Sequence, residues 1–147
     1  MNTERFMLRC GVNLILLDNE KVLLLFRNNT GFEDGTFGVV GGHMDGNETA
    51  RETIIREAQE EVNIQLNPEE LKLVGTIHRK LIHCEFIDLF FASQSWLGSL
   101  TNKEPEKHSY YKWVEINELP TNTMPLVKTA INNYLNGKSY DELGWDT

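Results

Sequence analysis

The chain has 147 residues, of which 40% are hydrophobic and 24% are charged, as expected for one globular domain over residues 1–147. No apolar run approaches the roughly 18 residues that span a bilayer, and the start of the chain lacks the build of a signal peptide, so we expect a cytoplasmic protein without a membrane partner. The net charge of −8 argues against a surface for macromolecular nucleic acid, whereas a small phosphate substrate would need bound cations and a few local basic residues.

The first part of the chain predicts a hairpin of buried strands. Residues 10–17 and 22–26 are apolar and β-prone, and the polar residues 18–20 between them supply turn chemistry. Their near-continuous hydrophobicity indicates strands that are buried on both faces of a sheet. A polar, glycine-bearing loop follows Arg27, and a short strand over residues 37–40 then leads into a pair of glycines.

The stretch from residue 49 to residue 62 predicts a helix. Thr49 and Glu52 have the spacing of a capping box at its start, with Asn47 as a competing N-cap. Asn63 follows the helix as a residue that can take the left-handed conformation usually adopted by glycine. One apolar face keeps helical spacing and is formed by Ala50, Ile54, Ile55, Ala58 and Val62.

Three acids on this helix predict a metal site. Glu57, Glu60 and Glu61 follow the pattern i, i+3, i+4, so they share one helix face on which like charges repel. Clustered carboxylate oxygens are the ligands that a hard divalent cation such as Mg²⁺ prefers. We therefore expect the helix and the glycine loop before it to form a loop–helix metal site. The alternative is a solvated helix face.

The second half of the chain predicts further strands and a second helix. A long connection over residues 96–108 precedes the last strand. The helix is expected over residues 125–136, with Thr123 as its N-cap. Strands mixed with two helices indicate a sheet that is covered on both faces. The expected strands cover residues 71–78, 84–93 and 110–116.

The acids belong to a longer pattern, Gly42-x5-Glu48-x7-Arg56-Glu57-Ala58-x-Glu60-Glu61, which resembles the signature of the Nudix (MutT-like) hydrolases. The six residues of this pattern other than Ala58 match preset offsets with a chance probability on the order of 10⁻⁷ per start position at average residue usage. The resemblance extends more weakly from about Arg9 to Trp145, through the strand order and the motif Asn102-x-Glu104-Pro105-Glu106-Lys107. Asn63 stands where the family has a glycine.

The resemblance implies an α/β fold, with an α/β/α sandwich around a central mixed β-sheet. It also implies hydrolysis of a nucleoside diphosphate linked to another group, with Mg²⁺ or Mn²⁺ bridging enzyme and substrate. Glu57, Glu60, Glu61 and the carbonyl group of Gly41 are the implied metal ligands. Two further residues of the signature are expected to have structural roles, namely Gly42 and Glu48.

The resemblance also points to catalytic residues. Glu57 is a metal ligand or the base, and Arg56 is expected to orient a glutamate of the signature. A further catalytic acid typically comes from the loop before the last strand, where Glu104 is the first candidate and Glu106 the second. An exposed loop acid is the alternative for Glu104.

Three residues outside the signature are candidates for substrate binding. Arg27 ends a strand that faces the glycine loop and is a candidate for binding substrate phosphate. Phe37 and Trp96 are candidates for stacking on a base. The alternatives are a surface arginine and two aromatic rings in the core, where we also assign Trp113.

Subfamily markers narrow the expected substrate. The ADP-ribose type has a proline where this chain has Arg79, and the dinucleoside polyphosphate type has a tyrosine where it has Leu81. The motif from Asn102 to Lys107 resembles members that act on nucleoside triphosphates, including oxidised ones. We therefore expect a nucleoside or deoxynucleoside triphosphate to be cleaved to monophosphate and pyrophosphate. ADP-ribose and a nucleotide sugar stay open as alternative substrates, and a non-catalytic nucleotide-binding module stays open as an alternative function. Whether the chain forms a homodimer is also left open.

Overall fold

Strand β1 (Arg9–Asp18) lies at the centre of the sheet in the computed structural model, which describes residues 4–146. Strands and helices follow one another along this range, and a short 3₁₀ helix, Pro68–Glu70, precedes β5. After β1 come β2 (Lys21–Arg27), β3 (Phe37–Gly38), β4 (Gly41–His43), α1 (Ala50–Val62), β5 (Lys72–Lys80), β6 (Glu85–Ser93), β7 (His108–Glu115), α2 (Pro125–Leu135) and β8 (Tyr140–Leu143).

The sheet combines parallel and antiparallel pairs. β1 pairs in parallel with β6 and antiparallel with β4, and its far end turns into β2. β2 in turn pairs with β3 and β7, while β5 lies between β6 and β8. The resulting order is β3-β2-β1-β6-β5-β8, with β4 on β1 and β7 on β2. This is the mixed sheet that the sequence resemblance implies.

Each face of the sheet is covered by one helix. Leu14 and Leu16 of β1 pack in the core beneath α1, and the alternating residues Ile15 and Leu17 pack in the core beneath α2. Side chains alternate between the two faces of a strand, so a strand between two helices is apolar at nearly every position. The α/β/α sandwich is therefore confirmed. Neither helix is long and apolar enough to cross a membrane within the described residues.

Helix α1 begins and ends as the sequence predicts. The Thr49 side chain accepts a hydrogen bond from the Glu52 N–H at 3.1 Å, and the Glu52 carboxylate accepts one from the Thr49 N–H at 3.0 Å. This capping box satisfies two N–H groups at the start of the helix, and Asn47 is not the cap. Asn63 ends the helix in the left-handed conformation, with φ 62°.

Two strand predictions are wrong. The short strand expected over residues 37–40 ends at Gly38, and a separate strand, β4, begins at Gly41 on a different neighbour. The strand that follows residue 108 is not the last one, because β8 follows α2 and pairs in parallel with β5. Strand β8 has four residues and two acids, so its sequence carries little of the apolar pattern that identifies a strand.

Helix α2 begins at Pro125 as expected, but the predicted N-cap, Thr123, is wrong. Met124 occupies the N-cap position and makes no side-chain capping bond, while Pro125 takes the first helical turn. The hydroxyl group of Thr123 donates instead to the carbonyl oxygen of Pro120 at 2.7 Å. Proline at the first helical position removes one N–H group that would otherwise need a cap, so the missing capping bond costs this helix less.

Candidate active site

A cleft of about 590 Å³ lies beside α1 and β4 and is also lined by the loops that follow β2 and precede β7. Pockets for small molecules usually measure roughly 300–1,000 Å³, so this cleft has room for a nucleotide. Most of the residues that the sequence singles out lie along its wall. They are Arg27, Gly41, Gly42, Glu57, Glu60, Glu61 and Glu104.

The two aromatic candidates for base stacking do not line the cleft. Phe37 is buried in the core against Phe26 and Tyr110. Trp96 stacks on Trp113, with 5.9 Å between ring centroids, and packs against the core beneath α1. Both rings have aromatic partners within the protein, and these partners hold them outside the cleft.

The two glycines of β4 allow α1 to approach the sheet closely. A Cβ atom on Gly42 would overlap the carboxylate of Glu57, and one on Gly41 would lie 2.7 Å from the carbonyl oxygen of Val12. The N–H group of Gly41 donates a hydrogen bond to the carboxylate of Glu61 at 3.2 Å. The glycine pair thus brings two acids of α1 against the backbone of β4.

Arg56 connects the loop before α1 to the acids of α1. Its Nε and Nη2 atoms donate to the two carboxylate oxygens of Glu48 at 2.9 and 3.1 Å. Its Nη1 atom reaches Glu57 at 3.1 Å and Glu60 at 3.2 Å. The bidentate contact therefore goes to Glu48, whose pKa is lowered by this hydrogen bond, and a single nitrogen orients the two helix acids.

The acids inside the cleft carry more negative charge than the protein around them balances. Burial raises the pKa of Glu57, Arg56 partly offsets this effect, and the charge of Glu104 adds to it. Burial raises the pKa of Glu61 well above its ordinary value, the charge of Glu57 adds to it, and the N–H group of Gly41 opposes it. Both carboxylates therefore favour a positive charge beside them.

The donor chemistry fits a hard divalent cation. Glu57, Glu60 and Glu61 offer carboxylate oxygens beside backbone carbonyl groups, the ligand type that Mg²⁺ and Mn²⁺ prefer. Glu60 is the outermost of the three, because its side chain is 52% exposed and paired with Arg56. Across residues 4–146, no three His, Cys, Asp or Glu side chains are arranged to enclose an ion as they stand.

A tight turn before β7 supplies the fourth acid. The side chain of Asn102 donates to the carbonyl oxygen of His108 at 2.6 Å and accepts from the N–H group of Glu104 at 3.2 Å. The carbonyl oxygen of Glu104 in turn accepts from the N–H groups of Lys107 and His108. These bonds hold Glu104 in the cleft wall, whereas Glu106 is exposed and does not line the cleft.

Arg27 lines the cleft but is also tied to the loop that follows β2. Its Nε atom donates to the carbonyl oxygen of Phe32 at 2.9 Å, and its Nη2 atom donates to the hydroxyl group of Thr30 at 3.0 Å. Asp34 accepts hydrogen bonds from the N–H groups of Thr30 and Gly31 and closes the same loop. Arg27 therefore orders this loop at the edge of the cleft, a role that its sequence position did not indicate.

Three cleft residues were missed from the sequence. Arg79 of β5 and Asp88 of β6 form a buried ion pair, and His108 is buried with its Nδ1 atom unpartnered among the described residues. Burial lowers the pKa of His108 to about 4, with a contribution from Arg27. The available signal was Asp88 itself, an acid between apolar neighbours in a buried strand, where a charge needs a partner.

Comparison with known sequences finds one family model whose match includes every residue that lines the cleft. A model of the NUDIX domain matches residues 7–134. The uncharacterized Nudix hydrolase YvcI from Bacillus subtilis (strain 168) is 29% identical over 110 residues. This match covers 73% of the chain and 66% of the relative, so the chain spans slightly less than two thirds of that protein.

Solved structures share the fold. A MutT NUDIX hydrolase from Burkholderia pseudomallei superposes with a TM-score of 0.79 at 21% identity, covering 86% of this chain and 97% of that one. A MutT protein from Bacillus halodurans gives a TM-score of 0.73 at 23% identity, covering 95% and 92%. At these identities the superpositions support the architecture, while the sequence match over residues 7–134 supports the family.

Proposed function

This chain belongs to the Nudix hydrolase family, whose members act on phosphoric anhydride bonds, and from that premise we propose that it cleaves a nucleoside or deoxynucleoside triphosphate to the monophosphate and pyrophosphate. One observation carries the proposal: Glu57, Glu60, Glu61 and Glu104 line a single cleft of nucleotide size. The triphosphate, including an oxidised one, is favoured by the motif that contains Glu104. The triphosphate is also favoured because the chain lacks the markers of the ADP-ribose and dinucleoside polyphosphate types.

The metal site of this proposal uses the acids of α1. Glu57, Glu60, Glu61 and the Gly41 carbonyl group would hold Mg²⁺ or Mn²⁺. When bound, the cation neutralises charge on the phosphate oxygens and makes water more acidic. The raised pKa values of Glu57 and Glu61 support this assignment, because a half-buried and a buried carboxylate beside other acids gain most from a cation.

In the proposed reaction a water oxygen attacks a phosphorus atom and the bond between the α- and β-phosphates breaks. Attack at either phosphorus gives the same two products, and the oxygen of the broken bond leaves with the other phosphate. The proton lost by water goes to a carboxylate, for which Glu57 and Glu104 are the two candidates. Arg56 orients Glu57 through the 3.1 Å contact, and the turn before β7 holds Glu104 in the wall.

Basic residues near the acids suit the phosphate groups. Arg27 and Lys107 both line the cleft, although the chain as a whole has a net charge of −8. A polyanionic substrate needs such local cations, because the surrounding acids would otherwise repel it. Part of the guanidinium group of Arg27 is occupied by the loop after β2, while Nζ of Lys107 lies 3.9 Å from the carboxylate of Glu104.

The test is a hydrolysis assay with Mg²⁺ and a panel of nucleoside triphosphates, deoxynucleoside triphosphates, oxidised deoxynucleotides, ADP-ribose and nucleotide sugars. We expect monophosphate and pyrophosphate in equal amounts from at least one triphosphate. If monophosphate is released only from ADP-ribose or a nucleotide sugar, the proposed substrate class is wrong and that compound replaces it. Tight nucleotide binding without hydrolysis of any compound would instead indicate a binding module. Water labelled with ¹⁸O shows which phosphorus is attacked.

A further inference from the structure

A buried ion pair lines the cleft and has no part in the proposed chemistry. The Nε atom of Arg79 donates to Oδ2 of Asp88 at 2.7 Å, and its Nη2 atom donates to Oδ1 at 3.1 Å. The two side chains are 10% and 2% exposed. Taking two charges out of water usually costs more than their attraction returns, so such a pair is weak evidence for stability. Its position in the cleft wall suggests a role in recognition.

A glycine in the sheet makes room for the carboxylate of this pair. Gly11 of β1 pairs with His43 of β4 on one side and with Asp88 of β6 on the other, so the three residues form one row on the same face. A Cβ atom on Gly11 would lie 2.5 Å from Oδ1 of Asp88. All three residues line the cleft. The carboxylate of Asp88 therefore lies over Gly11 in the space that a side chain would take, on the cleft side of the sheet.

Arg79 is held in one orientation and keeps unused hydrogen-bond donors. Its guanidinium carbon lies 4.5 Å from the ring centroid of Phe86, and the bidentate contact with Asp88 fixes its plane. Its Nη1 atom donates to no residue in the described range 4–146. Each oxygen of Asp88 also keeps a free lone pair. The pair thus presents N–H donors next to carboxylate acceptors, both fixed in position.

We propose that Arg79 and Asp88 recognise the base of the nucleotide. The edge of a nucleobase places N–H donors beside oxygen or nitrogen acceptors, which complements a fixed arginine–carboxylate pair. A phosphate group suits this position poorly, because the carboxylate of Asp88 would repel it and the pair has no net charge. This assignment rests on the proposed function for one point, which is that the phosphates lie at the acids of α1. The base of the same nucleotide then lies against the sheet, beside Arg79 and Asp88.

The experiment measures binding of products, so it does not depend on turnover. Calorimetry gives the dissociation constants of AMP, CMP, GMP, UMP and pyrophosphate for the wild-type protein and for Arg79→Lys, which keeps the charge and removes the planar fork. We expect the wild-type protein to prefer one base, and Arg79→Lys to weaken that monophosphate about tenfold and remove the preference. Pyrophosphate affinity should change by less than about twofold, because Arg79 contacts no phosphate in this assignment.

Two further variants separate recognition from folding. The double variant Arg79→Met/Asp88→Leu removes both charges together, so no unpaired charge stays buried, and it should show the same loss of base preference. Arg51→Lys is the matched control: this arginine also lies over a phenylalanine ring, Phe91 at 5.4 Å, but does not line the cleft. Thermal melting shows that each variant is folded.

Several results would overturn the inference. They are wild-type binding of pyrophosphate but of no monophosphate, an unchanged base preference in Arg79→Lys, or an equal loss of pyrophosphate and monophosphate affinity. Failure of the proposed function gives a different pattern. If the wild-type protein hydrolyses no triphosphate but its base preference is lost in Arg79→Lys, the reaction is wrong and the recognition stands.

Discussion

The cleft contains two groups of buried charges that are balanced in opposite ways. Beside β4, burial and neighbouring acids raise the pKa values of Glu57 and Glu61, and a single nitrogen of Arg56 offsets only part of this effect at Glu57. On the sheet, Asp88 is matched by Arg79 through two hydrogen bonds. The first group can bind a cation from solution, whereas the second can offer hydrogen bonds to a neutral ligand. We call the part of the cleft beside Glu57 and Glu61 the chemical end, and the part beside Arg79 and Asp88 the recognition end.

The largest expected effect comes from Glu57 and Glu61, the group whose negative charge the protein does not balance (the unbalanced group). Glu61→Gln should lower triphosphate hydrolysis by about 10³-fold, since metal-dependent stabilisation of the transition state is worth several kcal/mol. The melting temperature without metal should stay the same or rise, because a buried charge is removed and the amide oxygen can still accept from Gly41. Glu106→Gln, in the exposed part of the turn before β7, is the control and should keep full activity. Wild-type turnover in Glu61→Gln would show that the metal site is misplaced.

In the balanced group, Arg79 and Asp88, loss of the acid should instead lower the stability of the fold. Asp88→Asn leaves Arg79 buried without a counter-charge, so we expect a loss of about 3–5 kcal/mol in the free energy of unfolding, measured with urea. Arg79→Met/Asp88→Leu should recover most of this stability. A stability loss as large in Glu61→Gln as in Asp88→Asn would remove the distinction between the two groups.

Metal binding should stabilise the folded protein through the unbalanced group alone. At an Mg²⁺ concentration about one hundred times its dissociation constant, binding to the native state contributes about 2.7 kcal/mol. The melting temperature of the wild-type protein should therefore rise with Mg²⁺, and so should that of Arg79→Lys. Glu61→Gln should respond far less. An unchanged wild-type melting temperature at saturating Mg²⁺ would argue against a site formed by these acids.

A smaller effect is expected at the turn that carries Glu104. The pKa of His108 is about 4 in the folded protein against 6.5 for the ordinary value, so between these values the unfolded chain binds the proton and the folded chain does not. Its contribution to stability is complete above about pH 6.5 and is lost as the pH falls toward 4. Between pH 7 and pH 5 the unfolding free energy should fall more steeply in wild type than in His108→Asn, by on the order of 1–2 kcal/mol in total. The exposed His83, changed to Asn, is the control, and an identical slope in His108→Asn would contradict the prediction.

The smallest effect should come from Trp96, which lies outside both groups. Trp96→Phe keeps an aromatic ring against Trp113 and should leave kcat/KM within about twofold of wild type, because no substrate contact is lost. A rise in KM of tenfold or more would mean that the substrate extends beyond the cleft described above.

The sequence predicted best what depends on local spacing. The capping box of α1, the left-handed Asn63 and the shared face of the acids all follow from helical geometry between Thr49 and Asn63. Strands β4 and β8 were missed because they are short and take their partners from distant parts of the chain. The ion pair of Arg79 and Asp88 was missed for a related reason, since it forms across two paired strands whose register the sequence does not state. The same limit left Trp96 undecided between core and cleft.

The glycines of the cleft suggest how its two ends could be adjusted separately. Gly42 faces Glu57 and Gly11 faces Asp88, and in each case one added methyl group would meet a functional carboxylate. Alanine at position 42 would displace Glu57 at the chemical end, while alanine at position 11 would displace Asp88 at the recognition end. Gly11 is therefore the natural first position for redesigning substrate choice, because a change there moves the carboxylate of Asp88 without touching an acid of α1.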